Sequence, residues 1–97
     1  MSERRIVCVT IQGRVQGVGF RAWTHHQAEL HGLEGWVRNR RDGSVEALFA
    51  GRPDLVAAIL KAVRQGPQGS RVETVEESGA DATEIAEAGR FVVRPTV

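Results

Sequence analysis

The Asp42-Gly43 pair, set between two strand-like runs, constrains this chain more than any other feature. Asp-Gly between such runs reverses the backbone within two residues and makes its flanks pair antiparallel. The flanks are Leu33 to Asn39, built around Trp36 and Val37, and the alternating Val45-Glu-Ala-Leu-Phe-Ala50. A hairpin therefore sits near the middle of the 97 residues, and the rest of the chain must cover its apolar face.

Both sides offer a strand and a helix for that purpose. Upstream, Ile6 to Ile11 is a β-branched run that predicts a strand. Phe20 to His31 predicts a helix, with Trp23, Ala28 and Leu30 turned inward and Gly32 as its stop. Downstream, Pro53 opens a second helix and Gly66-Pro67 closes it. Within it Val56, Ile59, Leu60 and Val63 recur at i, i+3, i+4 and i+7, one apolar stripe. Val72 and Val75 mark a fourth strand, and Phe91 to Arg94 a short last one. Glu76 to Gly89 has no fixed period and is expected to be a loose loop. The order strand–helix–strand–strand–helix–strand predicts an α+β fold, a ferredoxin-like α/β sandwich (βαββαβ). It has an antiparallel sheet with both helices on one face and a short extra C-terminal strand, in a single domain, 1–97. That architecture hosts many functions and selects none.

Several function classes are set aside by composition. A formal net charge of +1 gives no reason to expect a nucleic-acid coat. No stretch is long and apolar enough to span a bilayer, and the N-terminal apolar run is too short for a signal peptide, so a cytoplasmic protein is expected. Cys8 is the sole cysteine, which rules out an internal disulfide and a multi-cysteine metal site. His25 and His26 are adjacent, His31 ends the first helix, and no pair has the i, i+4 spacing of a helical metal site. Asp and Glu are scattered, so no metal and no cofactor is expected.

Chemistry concentrates in Gly13-Arg-Val-Gln-Gly-Val-Gly-Phe-Arg21, between a strand and a helix start. Glycines allow successive backbone N–H groups to converge on one point. A helix's first turn adds its own unpaired N–H groups and the positive end of its dipole. Arg21 lies in that turn, where its planar fork can grip two phosphate oxygens. The alternative is a connecting turn with Arg21 merely exposed, and local chemistry does not choose between the two. Three overlapping motifs fail on context. Cys8 and Arg14 have Cys-x5-Arg spacing, but Val9, Thr10 and Ile11 between them continue a strand, so Cys8 reads as a packed strand residue. Gly17-x-Gly19-x-x-Ala22 resembles a dinucleotide fingerprint, but Asp42 lies in the hairpin turn and a doubly wound sheet lacks its strands. No Gly-Lys-Ser/Thr follows, as a nucleotide P-loop requires.

Asn39 ends the strand before the hairpin turn. If that end reaches the glycine-rich loop, its carboxamide can hold a water by accepting one proton and donating another. If not, it is a turn asparagine supporting its own backbone. With the second strand taken as antiparallel to the first, register decides, and spacing leaves it open.

Gly13-Arg-Val-Gln-Gly-Val-Gly-Phe-Arg21 and Gly35-Trp-Val-Arg-Asn39 with Asp42-Gly43 resemble the two signature segments of the acylphosphatase family. The resemblance extends to the element order over nearly the whole chain. It implies an enzyme that hydrolyses acyl phosphates, with Arg21 as the substrate-binding arginine and Asn39 orienting the attacking water. It also implies that backbone N–H groups of Arg14, Val15, Gln16, Gly17, Val18, Gly19 and Phe20 hold the phosphate. The implied partner is a small-molecule acyl phosphate; from charge, hydropathy and size, no nucleic acid, no membrane and a monomeric chain are expected. Gly66 to Val72 fits the family pattern only loosely, and Asp81 to Gly89 matches nothing in it. Two other readings compete. A non-catalytic phosphate- or carbamoyl-phosphate-binding module would keep the cradle without turnover. An RNA-binding domain could share the topology, with Arg14, Arg38, Arg40 and Arg41 as a basic rim, but its first strand carries no aromatic and the chain has no tyrosine.

Overall fold

The computed structural model describes residues 3–97. The elements run β1 (Arg5–Arg14), α1 (Phe20–Leu30), β2 (Glu34–Asn39), β3 (Val45–Gly51), α2 (Pro53–Gln65), β4 (Arg71–Gly79), a short 3-10 turn (Ala82–Glu84) and β5 (Phe91–Val93). The strands form one sheet in the order β4-β1-β3-β2-β5. The first four pair antiparallel, as the βαββαβ order requires, while β5 joins the edge parallel to β2, so the whole sheet is mixed.

Topology resolves the question of Asn39. Both β1 and β2 pair antiparallel with the strand between them, β3, and so run parallel to one another, not antiparallel as expected. A helical crossover between two strands demands that arrangement. Ile11 and Asn39 both face Val45, so β2 ends beside the last residues of β1. The glycine-rich loop and the hairpin turn thus leave the sheet at the same end.

Val7, Val9 and Ile11 of β1 and Val45, Ala47 and Phe49 of β3 alternate onto the helix-covered face, each buried. The α2 stripe of Val56, Ile59, Leu60 and Val63 seals against them. Burying an aliphatic or aromatic side chain of this size contributes roughly 1.5–3 kcal/mol. The inner face of α1 is Phe20, Thr24 and Ala28, a mostly small set that explains its faint sequence signal. Leu30, expected inside, is 67% exposed. At ~100° per residue it lies roughly 120° from the centre of that face.

The segment expected to be a loose loop is largely ordered. Glu76 to Gly79 extend β4 along β1, and Asp81 and Glu84 form a reciprocal capping box over the 3-10 turn. Because β4 and β5 occupy opposite edges, the chain between them must cross the sheet, and it crosses the face without helices. There Ala80 and Ile85 pack on a second apolar cluster of Trp36, Leu48 and Ala50, and Trp36 Nε1 donates to the Glu84 carbonyl at 2.8 Å.

Candidate active site

Five residues, Val15 to Gly19, connect β1 to α1. Val15 and Phe20 anchor the two ends of the connection in the core, each 1% exposed. Between them Gly17 and Gly19 take positive φ values of 73° and 78°, which L side chains adopt only with strain. Gly19 is also the N-cap of α1, with no side-chain cap. The conformation turns the peptide planes so that the N–H groups of Gln16 to Gly19 bond no described residue. Those of Phe20, Arg21 and Ala22 are the orphan donors of the first helical turn, where the first loop-to-helix bond is from Trp23 N–H to the Gly19 carbonyl. Seven consecutive N–H groups, Gln16 to Ala22, are thus without a protein partner among the described residues at the start of the helix, where the dipole's positive end lies.

A pocket of about 360 Å³ opens at this loop and helix start, lined by Val15, Gln16, Gly17, Gly19, Phe20, Arg21, Ala22, Asn39 and Val93. Arg21 projects from the first turn of α1, and Asn39 reaches the pocket from the end of β2. Neither side chain forms an ion pair or hydrogen bond with any described residue. Both are therefore available to a ligand, one as a fixed cation and the other as a paired donor and acceptor.

Of the nine residues singled out from the sequence, seven line this pocket: Val15, Gln16, Gly17, Gly19, Phe20, Arg21 and Asn39. Arg14 instead pairs with Arg71 at the β1–β4 end, and Val18 packs its side chain against the core. Two lining residues, Ala22 and Val93, were not anticipated. Ala22 follows from the helical position beside Arg21. Val93 had no local signal, because only the parallel docking of β5 on β2 brings it there.

The chain around Asn39 is held on two sides. Gln16 Nε2 donates to the carbonyls of Arg40 at 2.7 Å and Ser44 at 2.8 Å, bridging loop and hairpin. On the other side the C-terminal tail continues beside β2. Val97 N–H donates to the Asn39 carbonyl at 3.2 Å, and Arg41 N–H to the Val97 carbonyl at 2.7 Å. The turn itself is closed by Asp42, whose Oδ1 accepts from the Ser44 N–H and hydroxyl. Those two bonds hold the Asp42 carboxyl below its ordinary range.

The other titratable groups lie apart. Cys8 sits on the sheet face opposite the helices, near Glu46 and Trp36. Burial and the Glu46 carboxylate push its thiol up to about 11, which leaves it protonated and a poor nucleophile at neutral pH. His25 packs beside Phe91 and pairs with Glu29, and His31 bonds the Gln27 carbonyl. Among the described residues, no three His, Cys, Asp or Glu side chains gather as metal ligands. None of the described helices is long and apolar enough to cross a membrane.

Comparison with known proteins places this architecture in context. The sequence pattern of the acylphosphatase family matches residues 7–93. An acylphosphatase of Bradyrhizobium diazoefficiens is 59% identical over 98 residues, covering 98% of this chain and 99% of the relative. The solved structure of an acylphosphatase from Coxiella burnetii superposes with a TM-score of 0.85 at 31% identity, over 94% of this chain and 93% of that one. One from Bacillus subtilis gives 0.79 at 34% identity, over 95% of this chain and 99% of that one.

Proposed function

This chain belongs to the acylphosphatase family of enzymes, and from that premise we propose that it cleaves acyl phosphates to carboxylate and inorganic phosphate by direct attack of water on phosphorus. The observation that carries the mechanism is that Gln16, Gly17, Gly19, Phe20, Arg21 and Ala22, whose N–H groups have no partner among the described residues, line one pocket with the unpaired side chains of Arg21 and Asn39.

The bond to be broken asks little of the protein. The leaving carboxylate has a conjugate acid of pKa about 4, so it departs without a general acid. What remains is to hold the phosphoryl group, stabilise charge on its equatorial oxygens and aim a water in line. The cradle and Arg21 bind the phosphoryl oxygens, the loop and first-turn N–H groups by hydrogen bonds and the guanidinium by its fork. The Asn39 carbonyl accepts a hydrogen bond from the water and its amide N–H donates one to the water oxygen, which points the remaining lone pair at phosphorus. No carboxylate or imidazole lines the pocket, so the water's proton passes to a phosphoryl oxygen of the substrate. Water oxygen bonds phosphorus as the phosphorus–acyl oxygen bond breaks. The acyl oxygen leaves with that bond's electron pair. No step calls for a metal, and the reaction is expected to run undiminished in chelator.

The test is hydrolysis of benzoyl phosphate in chelator by wild type, Arg21→Ala and Asn39→Ala. Turnover by wild type and loss in both variants, at least 100-fold in each, is the expected result. Full activity in Asn39→Ala would remove the water-orienting role. A folded wild type that binds phosphate without turnover would point to the binding-module reading.

A further inference from the structure

We propose that the Gln16 side chain is a positioning residue that locks the phosphate loop to the hairpin carrying Asn39, so that phosphate and attacking water are aligned as one unit. The inference rests on the hydrolytic reading above and adds to it a residue whose side chain acts without touching the reacting atoms.

Loop and hairpin belong to different elements and share no backbone ladder at this point. The loop descends from β1, and Arg40 to Ser44 link β2 to β3. The strand between, β3, begins only at Val45. Beyond the sheet's end, the recorded polar tie between the two is the Gln16 amide. Its two N–H bonds go one each to the Arg40 and Ser44 carbonyls, at 2.7 and 2.8 Å. Only an amide nitrogen can face two carbonyls at once, so the direction of the group is settled by its partners.

Those partners are the two residues that define the turn. Arg40 follows Asn39 directly, and the Ser44 carbonyl also accepts the Arg40 N–H at 2.9 Å, closing the turn. A shift of Gln16 therefore moves the peptide next to Asn39. Val15 and Phe20, buried on either side, keep the loop from drifting as a whole and leave the side chain of Gln16 as the adjustable link. In-line attack tolerates little misplacement, and a displacement of about 1 Å costs roughly 100-fold in rate.

Three readouts test this. Gln16→Leu removes both donors, and Gln16→Glu sets a carboxylate against two carbonyls. Each is expected to lower kcat for benzoyl phosphate roughly 10- to 100-fold. The KM and the inhibition constant of inorganic phosphate should move less than about threefold, because cradle and Arg21 remain. In an Asn39→Ala background, Gln16→Leu should cost little more, since its effect passes through Asn39. A full additional loss there, or an unchanged kcat in the single variants, overturns the proposal. Amide hydrogen exchange provides a check that needs no turnover. Faster exchange at Arg40 and Gly43 in Gln16→Leu is expected, and unchanged protection overturns the tie itself. Failure of wild type to hydrolyse benzoyl phosphate, with exchange altered in the variant, would instead sink the hydrolytic reading and leave the tie intact.

Discussion

Thr24 is the one buried side chain among the described residues whose hydroxyl has no recorded partner. It is 0% exposed and sits on the inner face of α1, one turn beyond Phe20. A buried hydroxyl without a hydrogen bond costs about 1–3 kcal/mol. Valine has nearly the same shape and no polar atom to strand. Thr24→Val is therefore expected to raise the free energy of unfolding by about 1 kcal/mol in a denaturant titration, with turnover unchanged. A destabilised variant would mean that the hydroxyl does bond, through water or to the Phe20 carbonyl. Thr24 also illustrates what the sequence hides at this scale. A helix whose inner face is Phe, Thr and Ala has no apolar stripe to detect, whereas Leu30, apolar and conspicuous, faces solvent. The place of Arg21 in the pocket was legible because it depends on near neighbours in the chain, the glycines before it and the helix turn it occupies.

The hairpin is the element on which the proposed chemistry turns, and its stability is pH-dependent through Asp42. The Ser44 hydroxyl and N–H favour the ionised carboxylate and depress its pKa. A depressed acid stabilises the fold above its unfolded value, near 3.8, and loses that contribution as pH falls through the folded value. Asp42→Ala is expected to melt at lower temperature than wild type near neutral pH. The difference should shrink as pH falls below about 4 and vanish once Asp42 is protonated in the native state. Melting temperatures of both proteins across that range check it, and a constant difference would remove the carboxylate from the account. The Asp42-Gly43 turn itself was plain in the sequence, as was α2 with its unbroken apolar stripe, because both are written in residues a few positions apart. The placement of Asn39 was not. It follows from β1 and β2 running parallel on either side of β3, a property of the whole sheet. Asp81-Ala-Thr-Glu84 did carry a local signal, an acidic N-cap with a glutamate three residues on, that argued against a loose loop.

At the scale of the molecule, the segment that crosses the helix-free face joins the far edge of the sheet to the pocket. It leaves β4 at one edge, passes over Trp36 and delivers β5 beside β2 at the other. Val93 of β5 lines the pocket, and the tail beyond it bonds the Asn39 and Arg41 backbone. Trp36 is the pin. It is nearly fully buried, donates to the Glu84 carbonyl, and lies beneath the Arg38 and Arg94 guanidiniums at 4.7 and 5.3 Å. Trp36→Phe keeps most of the packing and removes the donor, and is expected to cost about 1 kcal/mol of stability. Trp36→Ala opens a cavity under the crossing segment and is expected to cost about 3–5 kcal/mol. The two variants should also part in activity. The phenylalanine protein retains β5 on β2 and with it near-normal turnover of benzoyl phosphate. In the alanine protein, assayed well below its melting point, a loosened β5 no longer supports Val93 or the backbone behind Asn39, so kcat/KM falls although no residue of the cradle has changed. Equal activity in both variants would show that the crossing segment stabilises the sheet without shaping the pocket.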